Sequence, residues 1–266
     1  MRVLFVYTGM AVFGGTAQEG NERERVAMSG MQFGRVAVFS IVLSLISSMA
    51  WAGVAAEYQV DFTTTGAPKT GWSYLWNANG PIGNPANYVT LVRDTNFGGD
   101  FETQANGAIP DSPPASNLAA TATSVFPGQG TSQAADAIER YVIAAYTVSA
   151  ADIATLGNQG VMDTYRFAVP AESLDGINAA IYVNASPIIA IHLPGPIDYN
   201  NTLPGAYPVP LGTLAAGDTI YVAIGSGATD TGDRLDVNYT ITLVPEPGTI
   251  GISGIIAVLA MRRRGR

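Results

Sequence analysis

The feature that most constrains the fold is an alternation of apolar and polar residues with a period of two, clearest in residues 234–243. In RLDVNYTITL an apolar or aromatic residue occupies every second position: Leu235, Val237, Tyr239, Ile241 and Leu243. Successive side chains of a β-strand point to opposite faces of the sheet. The segment is therefore predicted to be a strand with one buried face.

Similar short segments recur along the chain, separated by residues typical of turns. We predict strands at 58–64, 71–75, 87–93, near 122–126, and at 138–148, 163–169, 176–184, 188–193, 219–224 and 234–243. Glycine, proline and asparagine are frequent at 77–85 and between 95 and 133, which favours turns and loops. No long helix is indicated. The sequence thus predicts an all-β fold, an antiparallel β-sandwich.

Charge and cysteine content exclude several classes of function. The 266-residue chain has no cysteine, which excludes disulfides, thiolate nucleophiles and cysteine-bound metals. Its formal net charge is −8, and residues 57–244 hold 5 Lys or Arg against 17 Asp or Glu, a balance of 5 − 17 = −12. No nucleic acid partner is expected, because binding to phosphates requires a basic surface. Divalent cations and neutral glycans remain compatible.

The N-terminal region has the pattern of a secretory signal peptide. Residues 36–49 are apolar, Arg35 precedes them, and small residues follow. Two cleavage positions fit, after Ala52 and after Ala56. We favour the cut after Ala56, because a polar, strand-like segment begins at the next residue.

The beginning of the chain is unusual for a signal peptide. The segment NERER is strongly charged, and Met28 or Met31 would be a more ordinary start. Residues 1–56 are therefore left out of the predicted sandwich, which is expected to span 57–243.

The last 23 residues consist of three successive parts. A short motif (Pro245, Glu246 and Pro247) is followed by the apolar segment 249–261 and then by a basic end that includes Arg262, Arg263 and Arg264. The apolar segment can form a helix, and the arginines favour the cytoplasmic side of a membrane. Its 13 residues are fewer than the roughly 20 of a full span. A transient signal fits this length better than the alternative, a permanent anchor.

This tail resembles the PEP-CTERM sorting signal of Gram-negative bacteria that make extracellular polysaccharide. The resemblance implies export through the Sec translocon and processing by an exosortase, a membrane-embedded protease. It also implies a final location at the cell surface or in the extracellular matrix. Residues 175–177 (DGI) and 211–225 (LGTLAAGDTIYVAIG) resemble a pattern of exported PEP-CTERM proteins, which implies a jelly roll similar to carbohydrate-binding modules.

Three aromatic residues are candidates for contact with a glycan. Trp72, Tyr74 and Trp76 alternate, so they share one face of an extended segment. Aromatic rings can stack on the apolar faces of sugars. The alternative is that this stripe belongs to the hydrophobic core.

Clustered aspartates suggest a calcium site. Asp230, Asp233 and Asp236 lie within seven residues in a loop with a glycine, and carboxylate oxygens suit Ca²⁺. A solvated turn is the alternative. A second, weaker cluster comprises Asp94, Asp100 and Glu102.

No catalytic motif is identifiable. The only histidine, His192, lies in an apolar segment and is expected in the core or at a sheet edge. Together with the tail, the signal-peptide pattern and the acidic, β-rich body, this predicts a non-catalytic surface or matrix protein whose domain binds glycan or assembles matrix. The alternatives are a secreted polysaccharide hydrolase or lyase, and a purely structural adhesin.

The sorting hypothesis makes a direct prediction about Glu246. Replacing it in Glu246→Ala should block processing of the tail. Normal maturation of the variant on gels would contradict the assignment of the motif.

Overall fold

The structure is a computed structural model, and it describes residues 52–95, 98–103, 118–128, 130–132, 134–169, 175–195, 197–200, 208–229 and 233–246. Within these ranges two helices occur, α1 (Tyr58–Asp61) and α2 (Ala150–Leu156), with a 3-10 turn at Pro85–Asn87. The strands are β1 (Gly53–Glu57), β2 (Trp72–Trp76), β3 (Val89–Thr90), β4 (Val92–Arg93), β5 (Phe101–Glu102), β6 (Ala119–Ala120), β7 (Ser124–Phe126), β8 (Tyr141–Thr147), β9 (Gln159–Val169), β10 (Ile177–Val183), β11 (Ser186–Leu193), β12 (Ile197–Asn200), β13 (Val209–Thr213), β14 (Thr219–Gly225) and β15 (Leu235–Val244).

The strands form two antiparallel sheets. Across the described ranges, sheet A has nine strands: β12-β9-β15-β7-β6-β5-β4 in order, with β1 also on β15 and β13 also on β9. Sheet B has six strands in the order β11-β10-β14-β8-β2-β3. Inward side chains from both sheets form one hydrophobic core. The prediction of an all-β, antiparallel sandwich is therefore confirmed at the level of fold class.

Strand β15 confirms the clearest pattern in the sequence. Its five alternating apolar and aromatic side chains are each at most 1% exposed. The strand pairs with β9, β7 and β1. Predicted strands in the regions of β2, β7, β8, β10, β11 and β14 are confirmed as well.

The strand predicted at 58–64 is wrong, because residues 58–61 form the single helical turn α1. Tyr58 is 0% exposed and Phe62 8%, whereas Val60 is 72% exposed. Tyr58 and Phe62 are four residues apart, a spacing that fits both a strand face and a helix face. In a strand Val60 would share the buried face of Tyr58 and Phe62, whereas in a helix it would not. Its exposure therefore identifies the helix, and that exposure cannot be deduced from the sequence.

Two other segments differ from the prediction. The strand predicted at 87–93 is divided, since β3 belongs to sheet B and β4 to sheet A. Buried Leu91 lies between them, where the chain changes sheets. Helix α2 was not predicted. Ser149 and Asp152 form a capping box at its start, with Ser149 Oγ accepting from Asp152 N at 3.1 Å.

The first and last described residues of the sandwich lie at the same end of it, which we call the terminal pole. Gly53 pairs with Leu243, near the end of β15, and Gln159 pairs with both Val244 and Thr213. Gly157 has a φ of +105° and packs against the backbone of Pro245, an approach that a side chain there would prevent. The opposite end, the far pole, contains the first residues of β8 and β10 and the last residues of β11 and β14.

Asp61 joins three segments near the N-terminus of the sandwich. This carboxylate is 5% exposed. It accepts hydrogen bonds from Glu57 N at 2.9 Å and Trp72 Nε1 at 3.1 Å, and it pairs with Lys69. Burial raises the pKa of Asp61, but the hydrogen bonds from Lys69, Glu57 N and Trp72 outweigh it, so the pKa lies below its ordinary value.

We expect Asp61→Asn to lower the free energy of unfolding at pH 7 by about 2–3 kcal/mol, because donors to a buried charge lose their acceptor. Since folding lowers the pKa, the wild-type advantage is present above pH ~4 and is lost as the pH falls below it. Urea unfolding at pH 7 and at pH 3 measures both effects.

The matched control is Asp136→Asn, which removes an exposed carboxylate paired with Arg140 at 2.7 Å. It should leave the urea midpoint nearly unchanged, because an exposed ion pair contributes little to stability. Equal effects of the two substitutions would contradict the role given to Asp61.

Candidate functional site

The outer face of sheet B, turned away from the core, carries a distinctive set of half-buried aromatic and polar side chains. Ile177, Ala179 and Ile181 of β10 belong to the core. Asn178 and Tyr182 therefore point outward, because neighbouring side chains of a strand alternate. Tyr221 points outward from β14 for the same reason, since Ile220 and Val222 are in the core.

Three tyrosines form what we call the tyrosine patch: Tyr88, Tyr182 and Tyr221. Tyr182 and Tyr221 are directly opposite each other on β10 and β14. The rings of Tyr88 and Tyr221 meet edge to face, with centroids 5.3 Å apart and an angle of 69°. All three residues are half-buried.

The loop between β2 and β3 lies against this face. Gly83, with a φ of +90°, approaches Tyr182 so closely that a Cβ atom would lie 3.2 Å from the ring. Gly83 N donates to the Tyr88 hydroxyl at 2.8 Å. Burial raises the pKa of Tyr88, an effect that the Gly83 hydrogen bond partly offsets, and burial also raises the pKa of Tyr182. Both phenols therefore stay neutral at physiological pH and can donate hydrogen bonds.

A polar group at the far-pole end of the same face is centred on a carboxylate, and we call it the Glu139 network. Asn178 Nδ2 lies 3.0 Å from both oxygens of Glu139. The Tyr141 hydroxyl donates to Glu139 Oε2 at 2.6 Å, and Gly227 N donates to Oε1 at 2.7 Å. Every one of these partners is a donor, so the site suits an ionised carboxylate.

His192 extends this network to β11, the edge strand of sheet B. A sheet edge is one of the two locations expected for it from the sequence. Its Nδ1 lies 2.9 Å from Asn178 Oδ1, and the side chain is exposed. Because the Asn178 amide donates to Glu139, its oxygen faces His192. The neutral imidazole consequently carries its proton on Nδ1 and leaves Nε2 as an acceptor. The ring packs against Gly176, where a Cβ would lie 2.9 Å from Nε2.

The tyrosine patch and the Glu139 network each include one residue of β10, Tyr182 and Asn178, which are four residues apart. At about 3.3 Å per residue the separation is roughly 13 Å. One end offers tyrosine side chains, and the other offers the exposed imidazole of His192. This combination suits an extended, uncharged ligand with many hydroxyl groups, because rings stack on its apolar faces while polar groups bind its hydroxyls.

The aromatic stripe predicted as the glycan contact is not available to a ligand. Trp72 is 6% exposed and Tyr74 1%. Tyr74 stacks on Phe101 with ring centroids 4.4 Å apart. Trp76 is only partly buried and packs against the core. The assignment of Trp72 and Tyr74 is wrong, because this face of β2 turns toward sheet A.

The calcium hypothesis falls partly outside the described residues, since Asp230 is among those not described. Asp233 is 0% exposed. Asp236 accepts from Ser124 Oγ at 2.7 Å and pairs with Arg234 at 3.1 Å. In the part of the chain that the structure describes, no group of three or more His, Asp or Glu is arranged to hold a metal. Calcium binding stays a prediction.

The second acidic cluster is largely buried. Asp94 and Glu102 are 0% exposed. Burial and the nearby Asp94 charge raise the pKa of Asp100 to about 6, although Arg93 lowers it. Complete burial of Asp94 and Glu102 is typical of carboxylates with a structural role.

The described part of the tail ends at Glu246. This exposed carboxylate accepts from Asn158 Nδ2 at 2.9 Å, and Pro245 is half-buried. Pro247, Arg262, Arg263 and Arg264 lie outside the described residues, as does the apolar segment. Among the helices described, none has both the length and the apolar character needed to cross a membrane.

No protein family model, curated protein or solved structure gives a significant match to this chain. The chemistry of the site must therefore be argued from its residues alone.

Sequence reasoning missed the tyrosine patch, although part of the signal was present. Tyr182 and Tyr221 are out of phase with the apolar residues of their own strands, which indicates outward side chains. Their contact depends on the register between β10 and β14, and that of Tyr88 depends on the path of a loop. Neither follows from one strand's pattern.

We expect Glu139→Gln to destabilise the protein by about 1–3 kcal/mol, because it places an amide donor among groups that all donate. Urea unfolding at pH 7 measures the change, again with Asp136→Asn as the control for loss of one surface charge. An unchanged midpoint would mean that Glu139 does not hold the far pole together.

Proposed function

We propose that this chain is an exported, non-catalytic surface or matrix protein whose jelly-roll-like sandwich binds a neutral polysaccharide. The observation that carries the binding proposal is the half-buried pair Tyr182 and Tyr221, extended by Tyr88 and by the polar side chains Asn178 and His192. A ligand would lie along β10, with sugar rings stacked on the tyrosine patch.

Charge supports a neutral ligand. The balance of −12 in residues 57–244 repels polyanions. Neutral chains pay no such penalty, and tyrosine rings bind them through apolar contact and hydroxyl hydrogen bonds.

The proposed location rests on the two ends of the sequence. A signal-peptide pattern precedes the sandwich, and the PEP-CTERM-like tail follows it. Under this proposal the Sec translocon exports the chain, and an exosortase-type protease processes the tail. The terminal pole would then be nearest the membrane, and the Glu139 network would be turned away from it.

A purely structural adhesin is the second candidate, and burial of Trp72 and Tyr74 favours it. Two aromatic side chains buried in the core need no ligand to explain them. This candidate assigns the tyrosine patch to the support of the β2–β3 loop alone.

The test is a pull-down of the sandwich, residues 53–246, on insoluble neutral and acidic polysaccharides, with calcium and with chelator. We expect retention on a neutral polymer, with Tyr182→Ala and Tyr221→Ala each weakening it about 5- to 10-fold through loss of a stacked ring. Tyr182→Phe should retain most of the affinity, because the ring remains.

Val60→Ala is the matched control, since this side chain is 72% exposed and belongs to α1 rather than to sheet B. Released sugar in the supernatant would indicate the hydrolase or lyase alternative. Neither retention nor release would favour the structural adhesin. Loss of retention in chelator would point to the loop with Asp230, Asp233 and Asp236.

A further inference from the structure

We infer that the mature chain begins at Gly53, with the leader removed between Ala52 and Gly53. This inference rests on the proposed export. The step is hydrolysis of one peptide bond by the leader-removing peptidase of the export pathway. Water supplies the hydroxyl that completes the Ala52 carboxyl group and the proton that completes the Gly53 amine.

Strand β1 is the first observation. It runs from Gly53 to Glu57 and pairs antiparallel with β15, with Gly53 opposite Leu243, Val54 opposite Thr242 and Ala56 opposite Ile241. A cut after Ala56 would remove four of its five residues. The β15 backbone that they cover would then be an unpaired strand edge.

Side-chain packing is the second observation. Ala56 is 2% exposed and belongs to the core. Gly53 lies so close to α2 that a Cβ atom would be 2.5 Å from Leu156 Cδ2. The Tyr146 hydroxyl donates to Ala55 O at 3.2 Å. Residues 53–56 thus contact the helix, the core and sheet B, as expected for part of the mature fold and not for a discarded leader.

The sequence around each cut agrees with this choice. Small residues are required one and three positions before the cut. Ala50 and Ala52 occupy these places for the cut after Ala52. Val54 and Ala56 occupy them for the cut after Ala56, so the sequence permits both cuts. The peptidase cleaves before the chain folds, so the folded structure does not itself block a cut after Ala56. The two cuts differ in their products, because only the chain that begins at Gly53 keeps all of strand β1.

The experiment is export of the full-length chain from a Gram-negative host, followed by intact mass and N-terminal sequencing of the exported protein. We expect the sequence Gly-Val-Ala-Ala-Glu, residues 53–57. An N-terminus at Glu57 would overturn the inference while leaving the proposed export intact. A chain that stays in the cell with its leader uncut would overturn both.

Two matched variants separate the two positions. Ala50→Asp places a charged residue three positions before the first cut, and Val54→Asp does the same for the second. Val54 is 56% exposed, so its replacement leaves the core unchanged. Loss or displacement of cleavage in Ala50→Asp, with the N-terminus unchanged in Val54→Asp, is the expected result. The reverse pattern would overturn the inference.

Discussion

The burial of one face of β15 is the constraint on which the rest of the structure depends. Five alternating side chains of this strand are essentially inaccessible to solvent, and burial of each stabilises the fold by roughly 1.5–3 kcal/mol. Tyr239 reaches the aromatic group between the sheets, with its ring 5.5 Å from Tyr58 and 6.2 Å from Trp72. A slip of one residue would turn all five side chains outward, so this strand fixes the register of β9 and β1 beside it.

The same alternation explains how far the sequence could predict the site. It predicts which side chains of a strand share a face, and it correctly groups Trp72 with Tyr74. It does not say which face is covered, because that depends on the second sheet. Tyr182 and Tyr221 each belong to the outward phase of an apolar strand, a signal visible in the sequence. Their meeting at adjacent positions required the strand order β10-β14, which joins segments separated by some forty residues of chain.

In a chain with no cysteine, Asp61 and Glu139 each connect several segments through hydrogen bonds to one carboxylate. Asp61 joins α1 to Lys69 and Trp72. Glu139 joins the segment before β8 to β10 and to the turn after β14. Hydrogen bonds to charged groups contribute about 1.5–3 kcal/mol each, more than neutral ones. The sequence shows that acids are abundant, but two donors to Glu139 come from residues 39 and 88 positions away, so its role emerges only in the fold.

The contacts described above are divided between the terminal pole and the far pole of the sandwich. Gly53 and Val244 are at the terminal pole, because β1 and β9 flank β15 there. Asn158 holds Glu246 at the same pole, which fixes the point where the chain leaves the sandwich. A protein held to a membrane through either end of its chain would therefore turn the same pole toward it. The row Tyr141, Gly225, Asn178 and His192 would then face away, together with the last residues of sheet B. Strand pairing alone therefore places the tyrosine patch toward the terminal pole of sheet B and His192 toward the far pole.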